Sequence, residues 1–201
     1  MKKFSSKLLV AIAALCFAPL AQATIINTID MTVRSSTYSV GADDSIDHIE
    51  SQFLAGNLIC ETSLTALDNA GSRQSCNGPR RNIATLFEVN FTQTGTTMWQ
   101  FGGDWGRGGA VFIRGGFTRT DDIWWNGDWE NGDVIDFRTV GRGTATLNLL
   151  GFENCCAGGM SLRYSTDGGS TWTIATAVPA PGALALIGFA LLGMGLARRR
   201  A

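Results

Sequence analysis

Lysine is almost missing from this chain. Lys2, Lys3 and Lys7 are the whole complement, all in the first seven residues, so every other basic side chain is an arginine. Histidine occurs once, as His48, which leaves no material for a histidine-based triad and excludes HExxH. There is no P-loop and no GxSxG, so the motif-borne routes to phosphoryl and acyl transfer are closed. No pair of cysteines has CxxC spacing, which argues against a thiolate metal centre. His48 itself reads as a solvated surface residue.

The two ends of the chain are where the long apolar runs lie. Met1-Lys2-Lys3 leads into Leu8 to Ala18 and then Ala21-Gln22-Ala23, a basic start, an apolar stretch and the small-x-small pattern that signal peptidase cuts. Residues 1–23 are therefore expected to be a signal helix, with the mature chain starting at Thr24. Cys16 follows Leu15 and lacks the small preceding residue that a lipoprotein signal needs. At the other end, Val178-Pro179-Ala180-Pro181 precedes an uncharged run from Gly182 to Ala197, closed by Arg198, Arg199 and Arg200. The prolines hold an extended stretch ahead of the run. At 1.5 Å per residue the run spans roughly 24 Å against a hydrocarbon core of about 30 Å, a short transmembrane helix. The arginines stay on the cytoplasmic side, which places the rest of the chain outside the membrane.

With those ends removed, 16 basic residues less 6 leave 10 against 17 acidic ones, a net charge of −7. That balance argues against nucleic acid as a partner and suits a soluble surface protein with divalent cations as neighbours. About 155 residues remain, enough for one domain with its own core, residues 24–177.

The C-terminal pattern of motif, hydrophobic helix and arginine cluster resembles the PEP-CTERM sorting signal of Gram-negative bacteria, with Ala180 where that family usually has glutamate. The resemblance implies that residues 178–201 are a sorting tail cut by an exosortase in a bacterium that secretes exopolysaccharide. The precursor would be anchored in the cytoplasmic membrane by its C-terminal helix. The product would go to the cell surface or extracellular matrix. An ordinary C-terminal membrane helix is the alternative.

Cys60, Cys76, Cys155 and Cys156 survive processing, an even number in an oxidising compartment, and read as disulfides. A bond between the adjacent Cys155 and Cys156 has a Cα separation below the usual range. The expected pattern therefore joins each of them to one of Cys60 and Cys76. The competing pattern pairs Cys60 with Cys76 and leaves a vicinal bond.

Hydrophobic periodicity within the domain is mostly that of strands. Ile25 to Ile29 and Met31 to Val33 open it. Ile46, Ile49, Phe53 and Leu54 then fall at helical spacing behind a cap at Asp44 or Ser45, predicting one short helix. Asn69 to Asn82 reads as a long loop. Phe87, Val89 and Phe91 alternate with Glu88, Asn90 and Thr92, one buried and one wet face. Further strands are expected at Met98 to Phe101, Ala110 to Arg114, Val134 to Val140, Ala145 to Leu150, Met160 to Tyr164 and Thr171 to Ala175. The fold class is all-β: an antiparallel sandwich, jelly-roll or lectin-like, with at most one short helix between the signal helix and the transmembrane helix.

Ser165 to Trp172 fits the Asp-box pattern of sialidases, S-x-D-x-G-x-T-W. A single copy in about 155 residues cannot build a multi-bladed propeller, so it marks a hairpin, with Asp167-Gly168 at the tight turn and Trp172 packed back across it. Five of six tryptophans lie between Trp99 and Asp136, among Asp104, Asp121, Asp122, Asp128, Glu130 and Asp133. Exposed indoles beside carboxylates and amides suit the apolar face and hydroxyls of a sugar, and the same oxygens suit Ca²⁺. The competing reading is two Asn-Gly turns with solvated acids and core tryptophans. Trp124 and Trp125 are adjacent, so in a strand they point to opposite faces.

Cys155-Cys156-Ala157-Gly158 resembles the signature of the CCXG group of PEP-CTERM proteins, which carry the same tail. Phe101 to Trp105, Val111 to Ile113 and the segments Leu147 to Phe152 and Gly158 to Leu162 resemble the protective-antigen-type lectin sandwich. That family holds Ca²⁺ on an Asp-Asp pair where this chain has Asp104-Trp105, so the resemblance implies Asp104 as a metal ligand. The combined expectation is a structural or adhesive protein associated with exopolysaccharide or surface glycans, and not an enzyme. The alternatives are a calcium-dependent carbohydrate-binding module and a glycoside-active enzyme working through paired carboxylates.

Overall fold

The computed structural model describes residues 23–113, 117–119 (backbone only) and 122–178. The signal peptide up to Gln22, with Ala21, lies outside the described residues. So do Asp121 and the sorting tail from Pro179, including Ala180, Pro181 and Arg198 to Arg200. Among the described residues no helix is long and apolar enough to cross a membrane.

The chain forms an antiparallel β-sandwich. In order the elements are β1 (Thr24–Ser35), α1 (Ile46–Leu54), β2 (Leu58–Ser63), α2 (Ser72–Cys76), β3 (Ile83–Gln93), β4 (Thr96–Gly102), β5 (Asp104–Trp105) and β6 (Gly109–Phe112). They continue with β7 (Phe117–Arg119), β8 (Ile123–Trp124), β9 (Ile135–Val140), β10 (Gly143–Glu153), β11 (Ser161–Ser165) and β12 (Thr173–Ile174). One sheet runs β2-β1-β3-β10-β6-β7, the other β12-β11-β4-β9, and β5 pairs with β8 in a small ladder of its own.

Alternation builds these strands, and irregularities in it explain where expectation and structure part. In β1 the register against β3 shifts between Ile26 and Thr28. The shift lets Ile26 and Ile29, three residues apart, both face inward, so the two short strands expected there are one bulged strand. In β3, Phe87, Val89 and Phe91 are fully buried, as their spacing predicts. They meet Trp99, Phe101, Leu147, Leu149 and Leu162 between the sheets. A second cluster lies on the other face of the six-stranded sheet, where Ile49 and Phe53 of α1 cover Ala84, Ala110, Leu150 and Phe152. The last half of β10 is therefore buried on both faces.

Helix α1 begins where its sequence predicts, with Ser45 Oγ accepting from His48 N at 3.2 Å. Leu54 is not a core residue: it lies about 100° round the helix from Phe53 and is exposed. His48 is exposed and sits 3.9 Å from Asp44. The stretch expected as a loop contains the five-residue helix α2.

The disulfides correct the expected pattern. Cys60 bonds to Cys76, at a Cα separation of 6.3 Å, and Cys155 bonds to Cys156. Helix α2 packs on β2, bringing Cys76 beside Cys60. Cys156 and Ala157 both have positive φ, 83° and 40°, in the tight turn that carries the bonded pair.

Candidate functional site

Two carboxylates meet where β5 passes the end of β10. Asp104 and Glu153 are buried, at 8% and 5% exposure, in a protein whose other acids are mostly solvated. Each holds one part of the CCxG turn. Glu153 accepts from Cys155 N at 2.7 Å and from Gly106 N at 3.1 Å, and Asp104 accepts from Gly158 N. A Cβ on Gly158 would come within 2.5 Å of Asp104 Oδ2, so the glycine of the signature is required by the close approach of that carboxylate. Burial raises both carboxyls above the usual range. Glu153 reaches about 7 against the pull of its two backbone N–H donors, with the Asp104 charge adding to the rise. Beside the pair lies a cavity of about 10 Å³, room for a single water.

From Asp104 the fold leads into an arm. Asp104 pairs with Trp124 and Trp105 with Ile123 in the β5–β8 ladder, and Trp125 N donates to Gly103 O at 3.1 Å. The two Asn-Gly-Asp tripeptides that follow are turns. Asn126 Oδ1 accepts from Asp128 N at 3.0 Å and Asn131 Oδ1 from Asp133 N at 2.9 Å, side chains bonding the backbone two residues on. Asp128 accepts from Glu130 N, and Asp133 from Trp124 N at 3.2 Å. These acids brace the arm. What the arm presents is tryptophan: Trp124 is 72% exposed, while Trp125 lies over Gly102, where a Cβ would come within 2.2 Å of its ring.

Trp129, at the arm's tip, reaches the outer face of the four-stranded sheet. Its ring centroid lies 4.8 Å from that of Trp125 and 4.3 Å from the Arg163 guanidinium, whose other neighbour is Trp172 at 4.9 Å. Arg163 Nε donates to Gln100 Oε1 at 2.7 Å, and Gln100 pairs with Asp136 across β4 and β9. Arg163, Gln100 and Asp136 thus form one outward row flanked by indoles. The Asp-box hairpin supplies Trp172. Gly168 and Gly169 carry its positive φ angles in place of Asp167, and Asp167 accepts from Ser165 Oγ, Thr171 N and Thr171 Oγ1. Those three donors lower its carboxyl to about 2.

The site residues expected from sequence therefore separate. The exposed Asp122 comes near Glu153 at Gly106, where a Cβ would meet Asn154 Oδ1 at 2.8 Å, Glu153 Oε1 at 3.1 Å and Asp122 Oδ1 at 3.5 Å, and its charge adds to the rise at Asp104. Asp128 and Asp133 are turn residues. Trp105 is core, its indole lying over Gly109 and Gly151. The residues that sequence reasoning missed are Glu153, Arg163 and Gln100. Glu153 follows the apolar run Leu149 to Phe152 at the end of its strand, and the other two carry no motif, though Arg163 lies within the expected strand Met160 to Tyr164.

Of the Asp-Asp pair that the lectin resemblance implies for calcium, Asp104 is the member this chain carries. Trp105 occupies the position of the second carboxylate and points into the core. Among the described residues no three His, Cys, Asp or Glu side chains converge closely enough to hold a metal ion. Both oxygens of Glu153 and one of Asp104 already accept backbone N–H groups.

No family model and no curated protein matches the chain. Among solved structures it is similar to the PA14 domain of the antifreeze protein MpAFP, at 9% identity over 80% of this chain and 94% of that one, with a TM-score of 0.48. It is also similar to a PA14 sugar-binding domain from an RTX adhesin, at 10% identity over 76% and 99%, TM-score 0.46. A third is the A domain of epithelial adhesin 9 from Candida glabrata, in complex with Galb1-3GlcNAc, at 8% identity over 82% and 94%, TM-score 0.49.

Proposed function

We propose that this is an exported carbohydrate-binding protein of the cell surface or extracellular matrix, adhesive in role, whose sugar site is the tryptophan arm with the row Arg163, Gln100 and Asp136. The observation that carries the reading is Trp124, left 72% exposed on an arm braced by side-chain hydrogen bonds. A large indole in water forgoes about 1.5–3 kcal/mol of burial, and a rigid support keeps its face open to the apolar side of a pyranose. Asp133 and Asn131, which bond the Trp124 backbone, bring a carboxylate and an amide beside that indole, and the row offers a guanidinium and further polar groups beside Trp129.

Binding is favoured over glycoside hydrolysis because the acid pair buried among the described residues, Asp104 and Glu153, is engaged with its own backbone. Calcium plays no part in this reading. Signal peptidase cleavage before Thr24, exosortase cutting near Pro179 or Ala180, and exopolysaccharide as the natural partner follow from the terminal motifs and belong to the same proposal. The test is a glycan array with the exported protein, with and without EDTA. Retained signal in EDTA, lost on Trp124→Ala without a change in Tm, is expected. Silence throughout, or a signal unaffected by Trp124→Ala, overturns the sugar site.

A further inference from the structure

A second concave surface lies where the β9–β10 hairpin closes. It is a cavity of about 370 Å³, within the usual size of ligand pockets, lined by the half-buried Ile113 and Ala145 below and by Gln93, Arg138 and Arg142 at its rim. Its lining contains two arginines and no carboxylate, in a domain where acids outnumber bases 17 to 10. The orientation of Gln93 is fixed by a buried relay. Trp99 Nε1 donates to Thr139 Oγ1 at 2.9 Å, so the hydroxyl proton of Thr139 goes to Gln93 Oε1 at 2.6 Å. That leaves Gln93 Nε2 as a donor, directed at the hairpin 3.8 Å from where a Cβ on Gly141 would stand. Among the described residues neither Arg138 nor Arg142 is within salt-bridge distance of an acid. Three sets of donors therefore border an apolar floor.

We infer that this cavity binds the carboxylate of an acidic saccharide, with the uronate group on Arg138, Arg142 and Gln93 Nε2 and the apolar face of its ring on Ile113 and Ala145. The inference rests on the carbohydrate reading above but uses different residues. Arg138 also lies on the outer face of the four-stranded sheet, one row from Asp136, so a long chain can touch both places.

The test is isothermal titration of the exported protein with trigalacturonate, its neutral galactose counterpart and a sulfated galactose trimer. Charge-assisted bonds of this kind predict a loss of roughly tenfold in trigalacturonate affinity for Arg138→Gln and for Arg142→Gln, and none for the distant Arg81→Gln. Gln93→Glu, which replaces the donor by an acceptor, weakens binding further. The assignment is overturned if trigalacturonate does not bind, or if the rim variants leave its affinity unchanged. An equal loss in Arg81→Gln, or equal affinity for the sulfated trimer, also overturns it. Neutral-trimer binding that depends on Trp124 and survives the rim variants separates a failure of this cavity from a failure of the arm.

Discussion

The guanidinium of Arg163 on β11 is held between Trp129 of the arm and Trp172 of the Asp-box hairpin, 4.3 Å from one ring and 4.9 Å from the other. Those two segments are far apart in sequence, and the stack ties both to one strand. Burial lowers the Arg163 pKa from its ordinary value while Glu130 and Asp136 oppose the change, so the side chain stays charged. A planar cation covers two indoles in a way that an ammonium cannot. Arg163→Lys should therefore loosen the arm. Amide exchange at Asp128 and Glu130 should quicken, and stability should fall by about 1 kcal/mol in urea titration.

Glu153 sets a pH dependence with a definite sign. Its carboxyl is raised to about 7 in the folded protein, above the usual 4.5. Below pH 4.5 both states hold the proton and the group has no effect. Between 4.5 and 7 the unfolded chain has lost the proton and the folded chain keeps it, so stability falls as pH rises, then levels off. Glu153→Gln keeps an oxygen for Cys155 N but sets its amide nitrogen against Gly106 N, which loses its acceptor. It should flatten this slope at a lower overall Tm, read by thermal melts from pH 4 to 8.

Much of the framework was legible because it rests on alternation. Phe87, Val89 and Phe91 in β3, and Ile46, Ile49 and Phe53 in α1, announce their faces by period alone. Short pairings were not legible: the two-residue strands Asp104–Trp105 and Ile123–Trp124 have no period to read, and β2, with no fully buried residue, has no apolar face. The tryptophan-rich stretch was read as one cluster, and the fold separates its parts. Spacing cannot show that Trp105 has two glycines beneath it, or that Asp128 and Asp133 spend their oxygens on backbone N–H groups. Glu153 was unreadable because its partner is 49 residues away.

The two disulfides should differ in worth. Cys60–Cys76 closes a loop with a sequence separation of 16, for which chain-entropy reasoning gives about 3 kcal/mol. Cys155–Cys156 closes no loop of comparable size, and its turn is also held by Asp104 and Glu153. Replacing Cys60 and Cys76 by serine should lower stability by about 3 kcal/mol in denaturant, and replacing Cys155 and Cys156 by far less. Nonreducing peptide mapping should find the fragments bearing Cys60 and Cys76 linked to each other and not to Cys155 or Cys156.

The proposed processing points have structural neighbours. Ile26 and Ala177 form a parallel bridge, Val178 N donates to Ile26 O at 2.9 Å, and Ala177 N donates to Thr65 O at 2.8 Å. A cut after Pro179 or Ala180 leaves all of these in place, whereas truncation after Thr176 removes both donors. Each lost backbone bond costs about 1 kcal/mol, so the shorter form should be about 2 kcal/mol less stable and the exosortase-length form unchanged. At the other end, cleavage before Thr24 removes Ala23, whose carbonyl accepts from Thr94 N at 3.0 Å, but keeps Thr24 Oγ1 on Thr97 Oγ1 at 2.6 Å. Intact-mass measurement of the protein from its host should give a species from Thr24 to Pro179 or Ala180. A mass that includes the arginine tail would show that the membrane helix is retained as an ordinary anchor.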